Sequence, residues 1–160
     1  MNITQAWHFV GDTLRDGRPV PPDGIWLKHD GPLKMCESGL HASLHPFDAL
    51  QYAPGPWLCK VECRESDIIY ATDKLLCSER LIIARIDATE MLHYFARMQA
   101  LSVTHLWEPP NVVLDYLMTG DESMRAAAWD AAMATVRAVP WAAAGATARA
   151  AAGATARAAA

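Results

Sequence analysis

A chain of 160 residues, 52% of them apolar and including six Trp and seven Met, has the material for one domain or for one domain with an appendage. Its formal charge of −4 supplies no basic excess to drive nucleic-acid binding through counterion release. No apolar stretch reaches the ~18 residues of a membrane span, and MNITQAWHFVGD lacks a basic segment followed by an apolar run, so the expectation is a soluble, cytoplasmic protein with no membrane partner.

Thr4 to Val10 reads as a first strand, with Trp7 and Phe9 on one face and His8 on the other. The loop DGRPVPPDG (16–24) follows, its three prolines limiting regular structure. Gly24–Lys28 and Pro32–Met35 are expected as short extended segments around the turn signal HDG. His45-Pro46-Phe47-Asp48 opens a short helix through Tyr52, Pro46 suiting a first helical turn, and APGP (53–56) ends it. Trp57–Cys63, Asp67–Ala71 and Leu81–Ile86 then read as strands.

Asp87 with Glu90 forms an N-terminal capping pattern for a helix whose apolar face is Met91, Leu92, Tyr94, Phe95 and Met98. Thr119 with Glu122 predicts a second helix, running to about Val139 before Pro140. Composition changes near Gly120, where alanine takes over. The expected division is a domain over 1–118 and an Ala-rich helical extension over 119–160, of low complexity from about 142. GATARAAA occurs twice, at 145–152 and 153–160, and Trp129, Met133 and Val136 offer the extension one docking face, with self-association as a possible use. Strands first and the longest helices last give an α+β class.

Cys36, Cys59, Cys63 and Cys77 read best as buried thiols in a reducing compartment, a zinc site on Cys59 and Cys63 being the lesser alternative. His41 and His45 have ligand-like spacing but no acidic partner at a supporting interval, so no metal is expected. GxSxG, GxGxxG and P-loop patterns do not occur.

Three pieces remain: AWHFVG, SGLHASLHPFDALQYA and CSERLIIARIDATEML. In order and spacing they resemble the ADP-ribosyltransferase superfamily, above all the poly(ADP-ribose) polymerase-like branch with its His–Tyr–Glu triad. The middle piece is similar to that branch's Gly-Ile-Tyr-Phe-Ala strand, with His41 at the first tyrosine position and Tyr52 eleven residues later at the second. Ser78-Glu79-Arg80-Leu81-Ile82-Ile83 is similar to its Asn-Glu-Tyr-Ile-Val-Tyr strand. The resemblance covers roughly residues 5–95.

It implies a compact split β-sheet around an NAD⁺ cleft. His8 would anchor a ribose, His41 and Tyr52 would clamp the nicotinamide ring, and Gly39 and Ser43 would complete the binding set. Glu79 would hold the ribose 2′-hydroxyl and stabilise the oxocarbenium-like centre as nicotinamide leaves, so that Glu79, His8 and His41 form the catalytic set. NAD⁺ is then the substrate and no metal is needed.

Two positions depart from the family pattern. Phe9 stands where a glycine backbone binds the nicotinamide amide, and Ala49 where a serine does. His41 is closer to the tRNA 2′-phosphotransferase branch, which relies on basic residues to grip phosphate and lacks the acidic third residue. The implied function is ADP-ribosyl transfer to a protein or nucleic acid, with NAD⁺ hydrolysis or a non-catalytic module of the same fold as alternatives. The GLHAS…ALQYA layout also resembles short proteins of phage and bacterial genomes, which suggests a setting in phage–host conflict.

Overall fold

In the computed structural model, residues 2–138 are described. The chain divides into two compact units, Met1–Thr89 and Glu90–Ala160, well before the composition change at Gly120. The class is α+β: the first unit holds every strand, and the second is helical among the described residues.

Alternating apolar residues set the frame of the first unit. Strands β1 (Ile3–Val10), β4 (Trp57–Arg64), β7 (Glu79–Asp87) and β2 (Trp26–Lys28) form an antiparallel sheet in the order β1-β4-β7-β2. A second antiparallel sheet has β3 (Leu40–Ala42), β6 (Leu75–Cys77) and β5 (Ile69–Tyr70) in the order β3-β6-β5. The side chains that share one face of the larger sheet, Ala6 and Val10, then Cys59, Val61 and Cys63, then Ile82, are all buried. They meet Leu40, Ala42, Leu75 and Cys77 of the smaller sheet in one core. His8 shares this inward face of β1, with Trp7 and Phe9 on the other, as the alternation implies.

The sheets are tied at one point by mutual backbone hydrogen bonds between Trp7 and Ser43, at 2.7 and 2.8 Å. Between β3 and β4 lies the short helix α1 (Pro46–Leu50), which packs on β1 and stops before Tyr52. The expected strand over Pro32–Met35 is instead a tight loop. Lys34 and Ser38 exchange backbone hydrogen bonds at 2.8 Å, and Cys36 takes a left-handed backbone (φ 66°) to close it. Strand β6 was not anticipated, and the strand expected at Asp67–Ala71 contracts to Ile69–Tyr70.

In the second unit, α2 (Thr89–Ser102) starts where Asp87 Oδ1 accepts the Thr89 backbone N–H at 2.9 Å. It contributes Ala96, Ala100 and Leu101 to a helical core, so the expected face of Met91, Leu92, Tyr94, Phe95 and Met98 is not the one buried there. Helix α3 (Asn111–Thr119), preceded by Pro109-Pro110, packs Val113, Tyr116 and Leu117 against Ala128 and Ala132 of α4 (Arg125–Ala138). The cap ahead of α4 is Asp121, which accepts from Ser123 N–H at 2.9 Å, rather than Thr119, whose hydroxyl turns back to Asp115 O. Trp129 and Met133 pack on this core, and the GATARAAA repeat lies outside the described residues.

Candidate functional site

The expected site residues occupy three neighbourhoods of the strand unit. His41 lies between Leu40 and Ala42, both turned into the core, so its imidazole projects from the opposite face of the small sheet. There its Nε2 accepts the Cys36 backbone N–H at 3.0 Å. That bond fixes the proton on Nδ1 in the neutral ring. Burial first, then the charges of Lys74, Arg80 and Arg15, hold the His41 pKa below the ordinary histidine value.

Tyr52 belongs to the same neighbourhood through Lys74. The Lys74 ammonium sits 4.4 Å from the centre of the tyrosine ring and donates to its hydroxyl at 3.2 Å. The hydroxyl in turn donates to Asp73 Oδ2 at 2.5 Å, and Gln51 donates to the same oxygen at 2.9 Å. The Asp73 carboxyl is accordingly held below its usual range, chiefly by the Tyr52 hydrogen bond. Arg15 reaches the loop by donating to Cys36 O at 3.3 Å.

His8 lies one layer inside. Its pKa is held well below the ordinary value by burial, and then by the charges of Arg80 and His41. Arg80 is the residue that sequence reading missed. It points inward from β7 beside Ile82, is only 5% exposed, and donates from Nη1 to the His41 carbonyl. No ion pair among the described residues involves it. Burial lowers its pKa, and the groups that oppose the shift are the thiols of Cys63, Cys77 and Cys59. The signal was present in Arg80-Leu81-Ile82: a period of two puts the arginine on the apolar face.

Glu79, one residue earlier, therefore faces the other way. Its carboxylate pairs with Lys28 Nζ at 3.2 Å and with Arg64, whose guanidinium stacks 4.4 Å from the centre of the Trp26 ring. The Lys28 hydrogen bond leads the effects that keep Glu79 ionised below its usual range. The structure thus sets His41 on the Cys36 loop with Arg80 on its carbonyl, Tyr52 against Lys74 and Asp73, and His8 on the inward face of β1. It sets Glu79 on the far face of the larger sheet.

Gly39 and Ser43 bracket β3 as structural residues. Gly39 has φ +120°, and a Cβ there would run into the Leu76 and Leu33 side chains. Ser43 is 2% exposed and makes the Trp7 bridge. Phe9 and Ala49, which depart from the expected nicotinamide-binding pattern, are both 4% exposed, on two elements that pack together. An open groove elsewhere is lined by Gly11, the 19–23 loop, Trp57 and Arg85, and Arg85 is pinned by Asp23 at 2.6 Å. None of the expected site residues lines it. No group of three or more His, Cys, Asp or Glu positioned to hold a metal ion occurs among the described residues. No helix among them is long and apolar enough to cross a membrane.

The strand unit is an α+β domain of two facing sheets, with His41 on the outer face of the smaller sheet and His8 and Arg80 on the inward face of the larger one. The family model of a domain of unknown function (DUF7666) matches residues 5–94, and the chain belongs to that family. The match begins within β1, takes in β2 to β7 and ends within α2. Comparison with curated proteins and with solved structures gives no match.

Proposed function

We propose that the strand unit binds NAD⁺ on the outer face of its small sheet, around His41, Tyr52 and Lys74, and acts as a binding module. The observation that carries this is a pair of cations outside the core, Lys74 against the Tyr52 ring and Arg15 on the carbonyl of Cys36, whose backbone N–H is held by the His41 ring. Positive charge of that density favours the pyrophosphate of a dinucleotide, and Tyr52 offers a flat surface for a base or nicotinamide ring. Asp73 is the single carboxylate in that hydrogen-bonded group, and it is engaged by Tyr52 and Gln51. In this reading the two facing sheets are the split sheet of an ADP-ribosyltransferase-like fold. Phe9 and Ala49 serve packing where active relatives bind the nicotinamide amide.

A second reading, ADP-ribosyl transfer to a protein or nucleic acid in a phage–host setting, draws support from Glu79. Its carboxylate stays ionised and partly exposed at the head of β7. Transfer needs that carboxylate beside the ribose as nicotinamide departs. Its place among Lys28 and Arg64, across the sheet from His8, favours the binding module.

Calorimetric titration with NAD⁺ separates the readings. The binding module predicts saturable binding in the wild type, loss in His41→Ala, and unchanged affinity with no nicotinamide release in Glu79→Gln. No binding at millimolar NAD⁺ would overturn it. Nicotinamide release that Glu79→Gln abolishes would establish the transfer reading instead.

A further inference from the structure

The inward face of the larger sheet runs on past the core into an open groove. Val10 of β1 stands in register with Trp57 of β4, on the face that carries Ala6, Cys59 and Val61. Strand β7 would leave that face after Ile82 if its alternation were unbroken, because a period of two brings Ala84 inward next and turns Arg85 away. A β-bulge prevents this. Lys60 is opposite Ala84 while Val61 is opposite Ile82, so Ile83 is the extra residue and Arg85 comes to stand across from Cys59. Exposure follows the shift: Ile83 and Ile86 are exposed, whereas Arg85 is partly buried.

The groove lies between Arg85, Trp57, the Gly11-Asp12 end of β1 and the Pro19–Asp23 loop. Its volume of about 640 Å³ falls among those of small-molecule sites, roughly 300–1,000 Å³. The loop that walls it is fastened at both ends. Thr13 bridges to Pro19, and the Gly24 N–H donates to Ile82 O at 2.9 Å, beside the bulge.

The charges in the groove are unequal. Arg85 donates from Nε to Asp23 Oδ1 at 2.6 Å and from Nη2 to Pro21 O at 2.7 Å, and its Nη2 lies 2.5 Å from the same Asp23 oxygen. That pair cancels itself and builds the wall. Asp12 makes no ion pair among the described residues, so one negative charge is left over. Trp57, 38% exposed, lines the groove with it. An indole face attracts a cation, and a free carboxylate attracts the same one. A guanidinium suits both, because it is flat enough to stack on the ring and presents paired N–H groups to a carboxylate.

We propose that this groove is a binding site for a guanidinium group, stacked on Trp57 and paired with Asp12, with the Arg85–Asp23 pair as its fixed wall. The bulge in β7 is then the device that builds the site. None of the residues around His41 takes part, so the groove works whether or not the small sheet binds NAD⁺.

The test is a titration of the ¹⁵N-labelled full chain, read at the Trp57 indole N–H, which is assigned by its loss in Trp57→Phe. Millimolar agmatine should shift that resonance to saturation and leave the His41 nitrogens in place, since Lys74 and Arg15 repel a cation there. Putrescine, which has ammonium groups but no guanidinium, should bind more weakly. Asp12→Asn should weaken agmatine about tenfold through loss of a charge-assisted contact, and Trp57→Leu about threefold. Asp12 is exposed and unpaired, so Asp12→Asn decides the matter if the Trp57 variants fail to fold. A blocked Gly-Arg-Gly peptide distinguishes the sources of the group: tighter binding of agmatine assigns a free small molecule, tighter binding of the peptide an arginine within a chain. No saturable shift with either probe, equal affinity for putrescine, unchanged affinity in Asp12→Asn, or saturation of the same resonance by inorganic phosphate would each overturn the proposal.

Discussion

Acidification should unfold the strand unit through His8 before any carboxylate contributes. The imidazole is held neutral in the folded chain by burial and by the Arg80 and His41 charges, whereas in the unfolded chain it titrates near 6.5. Below that pH the unfolded state binds one more proton than the folded state. Stability is therefore fully present above about pH 6.5 and is lost as pH falls, by about 1.4 kcal/mol per unit for one group. The loss continues with falling pH for as long as the buried imidazole stays neutral in the folded chain. His41 adds to this in the same direction, with a smaller share because its ring is less deeply buried than that of His8. The strand unit's carboxylates with lowered values, Asp16, Asp73, Glu79 and Asp87, act in the opposite part of the scale. Their stabilising contributions persist down to about pH 4, so the window from 6.5 to 5 belongs to the histidines. Urea unfolding at half-unit steps, followed by circular dichroism, should show the midpoint falling by roughly 1 M across that window at constant slope. In His8→Gln the pH dependence should shrink by about one proton. An identical pH dependence in wild type and variant would refute the placement of His8 on the inward face.

Two further outcomes follow from packing. Leu75→Ala, at a side chain with no exposure between the sheets, should cost about 2–5 kcal/mol, read from the urea midpoint. Gly120→Ala forces a Cβ into a left-handed residue (φ +70°) that ends α3 and faces the Arg97 guanidinium. It should destabilise the helical unit by about 1 kcal/mol or more, seen as faster amide exchange in α3.

The strands that carry the core could be read from the sequence because their alternation is regular: Ala6, His8 and Val10, then Cys59, Val61 and Cys63. Strand β6 escaped because its three residues, Leu75–Cys77, are buried on both faces and carry no alternation, and their pairing with β3 spans 33 residues of sequence or more. Helix α3 was missed although Pro109-Pro110 ahead of an apolar NVVLDYLM pattern is an ordinary helix start. At the candidate site the residue types were legible, but the faces were not. Glu79 and Arg80 are adjacent, and a shift of one position in a strand exchanges the core for the solvent side. Starting the strand at Glu79 and following Arg80 and Ile82 inward would have marked the arginine as the unusual residue. The Lys74–Tyr52 contact spans 22 residues and depends on where α1 ends, which no local pattern states.

The most direct test of the account is to follow the His41 and His8 imidazole nitrogens by long-range ¹H–¹⁵N correlation while NAD⁺ is added. The account predicts progressive, saturable shifts at His41, with smaller ones at His8 through Arg80, and the same titration in Glu79→Gln. Unchanged His41 resonances at millimolar NAD⁺, or shifts confined to the Glu79, Lys28 and Arg64 face, would contradict it.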